Sequence, residues 1–215
     1  MRAHEPGDEG LAFEILSEEH LAGDFRPLRR IALDHASLSG GSPHRVTREV
    51  VRAGTAAAVI PYDPATDSIV VIRQFRVGAA LATPHAAPLE LPAGLLDEGE
   101  SPAEAARREL FEETGLAARA MGEAFAILSS PGLTDERIVV FLALVDATAL
   151  AVRAGMAEEN EDILPLAFPA RDLISACDEG RVANGFLFAG LQWFDRRGRE
   201  RAAELSKGTN GRRVT

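Results

Sequence analysis

Hydrophobic residues fall along the chain in short runs broken by turn-forming residues, not in one long apolar block. Residues 13–16 and 28–33 alternate apolar with polar, the period of strands with one covered face, and Gly40-Gly41-Ser42-Pro43 supplies a turn after them. Stronger strand signals follow at 55–60, 68–74, 124–129 and 137–145. Asp63-Pro64-Ala65-Thr66-Asp67 is turn chemistry, so the first two of these are expected to form a hairpin. The spacing predicts helices over 170–178 and 185–205, and the polar, glycine-bearing tail 206–215 is expected to fray. The best-punctuated segment is 101–114. Ser101 and Glu104 have capping-box spacing, Pro102 stands at the first helical position, and Gly115 follows where a left-handed C-cap favours glycine. The pattern divides the chain into a β-rich segment over 1–50, a larger domain over 51–205 and a flexible tail over 206–215.

Composition narrows the class of partner. The 215 residues carry 23 Lys+Arg against 33 Asp+Glu, a formal net charge of -10. Duplex DNA and anionic membranes both need basic surface, so neither is an expected partner. A nucleotide ligand stays open, because a bound cation can bridge two anions. The lone Cys177 has no intrachain disulfide partner; a small buried hydrophobe on a helix is its expected role, in a reducing compartment. The first residues lack a basic stretch followed by an apolar one, and the longest apolar runs, 55–61 and 138–145, are far below the ~20 residues of a membrane helix. The cytoplasm is the expected location. None of the five histidines sits at ligand spacing, and His85 lies in a proline-rich loop.

Candidate chemistry concentrates on the capped helix. Offsets of three and four residues put Glu109, Glu112 and Glu113 on one arc, although like charges at that spacing repel by a few tenths of a kcal/mol. From Asp97 to Glu113 there are seven acids and only Arg107 and Arg108 to oppose them. A solvated acidic face would explain this for an arbitrary helix. Here the loop 93–100 brings further carboxylates to the helix start. A carboxylate set without Cys or His favours a hard cation, Mg2+ first and Mn2+ second, over zinc.

The spacing is specific. Gly94, five residues, Glu100, seven residues, and then Arg108-Glu109-Leu110-Phe111-Glu112-Glu113-Thr114-Gly115-Leu116 resembles the Nudix box at every defined position. The resemblance implies an α/β/α sandwich with a small N-terminal antiparallel β-domain, and metal-dependent hydrolysis of a nucleoside diphosphate linked to another moiety. It implies Glu109 and Glu113 as principal metal ligands, Glu112 close behind, and the Ala93 carbonyl contributing from the loop. Arg108 would pair with a carboxylate such as Glu100, with Gly94, Glu100 and Gly115 as structural parts of the box.

Features outside the box resemble the ADP-ribose pyrophosphatase subgroup. Pro131 lies sixteen residues after Gly115 and is followed by Gly132-Leu133-Thr134-Asp135-Glu136-Arg137, with a plain Pro-Gly turn as the competing reading. Glu158-Glu159-Asn160-Glu161-Asp162 resembles a mobile acidic loop that delivers the base, here Glu159, and a further metal ligand, here Glu161. Glu112 or Glu113 is the alternative base. Arg76 would bind a phosphate as a bidentate guanidinium, and Glu90 enters the box beside it. Arg48-Glu49 resembles a segment that touches ligand across a homodimer, with a surface strand pair as the alternative. In that subgroup the N-terminal domain exchanges between protomers and shapes the adenosine pocket. Phe25 is expected in a core rather than stacked on a base; Leu187, Phe188, Leu191, Trp193 and Phe194 are read as core or dimer contacts.

The implied substrate is ADP-ribose, cleaved to AMP and ribose 5-phosphate. The box addresses only the diphosphate, so another nucleoside diphosphate sugar such as GDP-mannose stays open. A non-catalytic sensor of ADP-ribose is the rival from another class. Such proteins often lose box glutamates and gain a DNA-binding segment, whereas this chain keeps the acids and has no basic patch.

Overall fold

The computed structural model describes residues 6–155 and 161–210, in two compact units. The first unit gathers residues 6–53 and Ser130–Glu136. Three antiparallel strands, β1 (Phe13–Ala22), β2 (Leu28–His35) and β3 (His44–Val51), form its sheet in that order. Opposed charges fix the register. Arg30 of β2 faces Glu19 of β1 and Glu49 of β3, and donates to both at 3.2 and 2.8 Å. Asp34 faces Arg45 and accepts two bonds from it, at 2.8 and 2.7 Å. Ile31 is the buried hydrophobe of this sheet. Phe25, expected in a core, is 82% exposed, and Arg26 lies over its ring. Five charged side chains facing one another across these strands leave little apolar surface to bury it against.

The second unit, residues 54–129 and 137–210, is built on a mixed sheet. Its strands are β4 (Thr55–Asp63), β5 (Ser68–Arg73), β6 (Leu89–Glu90), β7 (Ala93–Leu95), β8 (Ala120–Leu128), β9 (Arg137–Leu144) and β10 (Leu164–Pro169). The main path runs β10-β5-β4-β9-β8, with β4 and β9 parallel. The expected hairpin is present, but β4 and β5 pair only at Tyr62–Ile69 and Asp63–Ser68 and then part. β6 fills the wedge on β5 and β7 fills it on β4, which threads the loop 89–95 through the middle of the sheet.

Both faces of this sheet are covered. Ala57 and Val59 of β4 and Val139, Phe141 and Ala143 of β9 pack against Ala105, Ala106 and Leu110 of α2 (Pro102–Thr114). The alternate residues, Ala58 and Ile60 of β4 with Val140 and Leu142 of β9, pack against α3 (Ala170–Asp178) and α4 (Gly185–Trp193), through Leu173, Leu187 and Leu191. The unit is thus an α/β/α sandwich, and with the N-terminal antiparallel sheet it gives the expected fold class. The predicted helix over 185–205 is α4, a π-helical turn over Phe194–Gly198 and α5 (Arg199–Asn210). The turn packs the Phe194 ring where a side chain on Gly198 would stand. Cys177 is buried on α3. Two elements gave no clear periodicity. β10 carries Pro165 and Pro169, which suit its edge position, and α1 (Val77–Ala82) is six residues without a side-chain cap. Among the described residues no helix is long and apolar enough to cross a membrane.

Candidate active site

The site is built where α2 meets the threaded loop. The capping box is complete: Ser101 Oγ accepts from the Glu104 N–H, and the Glu104 carboxylate accepts from the Ser101 N–H at 2.9 Å. Gly115 closes the helix at φ 72°, and its N–H donates to the Phe111 carbonyl at 2.8 Å. Small residues on the buried face, Ala105 and Ala106, let α2 lie close to β4 and β7. Gly94 completes that approach, since a Cβ there would overlap the Glu109 carboxylate.

Arg108 ties loop to helix. Its Nε and Nη2 donate to the two Glu100 oxygens at 3.0 and 2.9 Å, Nη2 also donates to the Leu95 carbonyl at 3.0 Å, and Nη1 donates to Glu109 at 2.6 Å and Glu112 at 3.1 Å. All five N–H groups are used. The bond to Glu100 and the further acids raise the Arg108 pKa against the desolvation that would lower it.

Glu113 is treated differently. It is 4% exposed, and its Oε2 accepts from the Ala93 N–H at 2.8 Å. Burial pushes its carboxyl up to about 8; Glu109 and Glu161 push the same way, while the Ala93 N–H and Arg76 oppose them. Glu109 is also raised, chiefly by desolvation, with Glu112 and Glu161 adding to it against Arg108. Glu161 reaches this group from far along the chain. Ala154 and Ile163 exchange backbone hydrogen bonds at 3.0 and 3.2 Å, and the Gly155 N–H donates to the Glu112 carbonyl at 3.3 Å. The neck of the acidic loop is thereby fixed to the end of α2. Glu159, the expected base, lies outside the described residues, as do Glu158 and Asn160.

Arg76 approaches from the end of β5. Its Nε donates to both Glu90 oxygens at 3.2 and 3.1 Å, and its Nη2 to one of them at 2.8 Å. Burial would lower the Arg76 pKa, but the Glu90 bond and the charges of Glu113 and Glu161 outweigh it. The second unit therefore holds Arg76, Glu90, Ala93, Gly94, Glu100, Arg108, Glu109, Glu112, Glu113 and Glu161. Arg48, Glu49, Pro131 and Glu136 belong to the N-terminal unit. There Arg48 donates to the Thr47 carbonyl, Glu49 accepts from Arg30, Glu136 accepts from Arg26 at 3.2 Å, and Pro131 is exposed in the turn after Ser130.

The donor set is all oxygen, which suits a hard divalent cation. Glu109 and Glu113 are both raised, chiefly by burial and further by neighbouring acids, and a bound cation would offset both causes. Among the described residues no three acidic, His or Cys groups already converge on one point. Glu109 and Glu112 both accept instead from Arg108 Nη1. Sequence reasoning missed the Leu95 carbonyl as an anchor and Gln74 as a buried polar residue; alternation with Ile72 and Arg76 is the signal that could have found the latter.

A family model described as the NUDIX domain matches residues 52–180. An ADP-ribose pyrophosphatase of Haemophilus influenzae is 39% identical over 183 residues, covering 84% of each chain. An ADP-ribose pyrophosphatase of Escherichia coli K12 is 36% identical over 180 residues, 84% of this chain and 86% of the relative. A GDP-mannose pyrophosphatase of Cronobacter sakazakii is 33% identical over 189 residues, 87% of this chain and 97% of the relative.

Proposed function

The chain belongs to the NUDIX domain family, and from that membership we propose that it hydrolyses ADP-ribose to AMP and ribose 5-phosphate with Mg2+, Mn2+ serving as substitute. Hydrolysis of nucleoside diphosphate sugars is the enzyme's reaction class; the choice of sugar and of cation is the proposed part. The observation that carries it is the Glu113 carboxylate, buried on a capped helix, tied to the Ala93 N–H and crowded by Glu109 and Glu161.

Glu109 and Glu113 would hold the cation, with Glu112, Glu161 and the Ala93 carbonyl completing the oxygen set. The ion, once bound, supplies charge neutralisation at the phosphoryl oxygens and a more acidic water. Arg108, locked on Glu100, Glu109 and Glu112, keeps the loop with Gly94 against the helix. Arg76, steadied by Glu90, orients the diphosphate through the guanidinium edge left free. A glutamate accepts the proton as a water oxygen bonds to phosphorus. The bridging P–O bond breaks, and its electron pair leaves with the departing phosphate. Glu159 is the proposed base, with Glu113 and Glu112 next. Ligand contacts for Arg48, Glu49, Pro131 and Glu136 are part of the same proposal and rest on the resemblance alone. So do a homodimer, checked by sedimentation, and the cytoplasmic location.

Two measurements test this reading. Glu113→Gln is nearly isosteric and should still fold and melt cooperatively while kcat falls ~10³-fold or more; turnover near the wild-type level would remove Glu113 from the machinery. A panel of nucleoside diphosphate sugars, read by phosphate release after phosphatase coupling, should rank ADP-ribose first. GDP-mannose above ADP-ribose would reassign the substrate and leave the chemistry standing.

A further inference from the structure

Gln74 is 8% exposed, and its Nε2 is buried without a hydrogen-bond partner among the described residues. A buried amide donor left unpaired is a net cost to the fold that an apolar side chain of similar size would not impose. Turning the amide over would only exchange an unpaired donor for an unpaired acceptor at the same place.

Its position says what the partner is. Ile72 pairs in register with Glu90 across β5 and β6, so their side chains share one face of the sheet. Gln74 and Arg76 follow Ile72 at two-residue spacing, just past the last residue of β5, Arg73; the backbone at Arg76 is extended, and its guanidinium reaches Glu90. Val70, two residues before Ile72, packs beneath α2. Gln74 therefore stands on the α2 side, between that apolar layer and the Arg76–Glu90 pair, and Arg76 lies within electrostatic reach of Glu113 and Glu161. A buried donor with no partner among the described residues, two residues before Arg76, is available to an oxygen that arrives with a ligand.

We propose that Gln74 is a substrate-binding residue whose Nε2 donates to an oxygen of the nucleoside diphosphate sugar seated beside Arg76. This rests on the function proposed above. Gln74→Met and Gln74→Glu test it, with ADP-ribose kinetics and melting of the ligand-free protein measured together. In Gln74→Met, KM should rise about tenfold or more with kcat within about threefold, while the ligand-free Tm stays level or rises. In Gln74→Glu, KM should rise further, because a carboxylate then faces the diphosphate. A wild-type KM in both variants, with a lowered Tm in Gln74→Met, would make the amide a packing group and overturn the proposal alone. Failure of the wild-type enzyme to hydrolyse any nucleoside diphosphate sugar would overturn the functional reading and this one with it.

Discussion

Two arginines reach the acidic end of the site, and their surroundings use them in opposite ways. Arg108 spends every N–H on protein oxygens, three carboxylates and one carbonyl. Arg76 gives Nε and Nη2 to Glu90 and leaves Nη1 without a partner among the described residues. Both are charged, both are only partly exposed and both bind a glutamate, yet one is saturated and the other is not. A saturated guanidinium holds structure, and an unsaturated one backed by a buried carboxylate is preorganised for an incoming anion. Residue type and ion-pair distance alone would not separate them; the count of unused donors does.

The same conservative change should break this symmetry. Arg108→Lys keeps the charge but cannot span Glu100, Glu109, Glu112 and Leu95 at once. It should cost about 2 kcal/mol of stability by denaturant titration and lower kcat at least ~10-fold. An unaltered midpoint would show that the network is not what fixes loop to helix. Arg76→Lys should act on affinity instead, raising KM about tenfold with Tm and kcat nearly unchanged. A fall in Tm as large as that of Arg108→Lys would erase the distinction.

The smallest effect sharpens the contrast from the acid side. Burial raises the Glu113 pKa from 4.5 toward about 8, so the folded chain holds a proton that the unfolded chain has released across that interval. The stability this gives is fullest below the unfolded value and is lost as pH rises through the folded one. Metal-free protein should therefore melt lower at pH 8 than at pH 5, and saturating Mg2+ should reverse much of the fall. In Glu113→Gln, which cannot titrate, the pH-linked part of that drop should be absent; an identical slope would assign it to other groups.

The N-terminal sheet extends the same lesson. Its best-formed ion pair, Arg45 with Asp34, is exposed and fixes only a register. With Ile31 as its one buried hydrophobe, the sheet has little apolar periodicity to show in the sequence and offers Phe25 no core to enter. The prolines of β10 hid an edge strand, and the segment Ser130–Glu136 joined the N-terminal unit through the Val51 N–H to Leu133 carbonyl bond, a pairing between residues far apart in sequence.

The sequence by itself determined α2: its caps, its length, the arc shared by Glu109, Glu112 and Glu113, and the glycine at 94. Those are local matters, governed by neighbours within a few residues, where spacing translates directly into geometry. Only the tertiary structure decided that Glu113 is buried and raised, that Arg108 is exhausted while Arg76 keeps a free Nη1 among the described residues, that Glu161 joins the acids from the end of another loop, and that the buried Gln74 Nε2 has no partner among those residues. Each of these depends on strand register and on exclusion of water by distant segments, and neither is encoded in the pattern of any single stretch of chain.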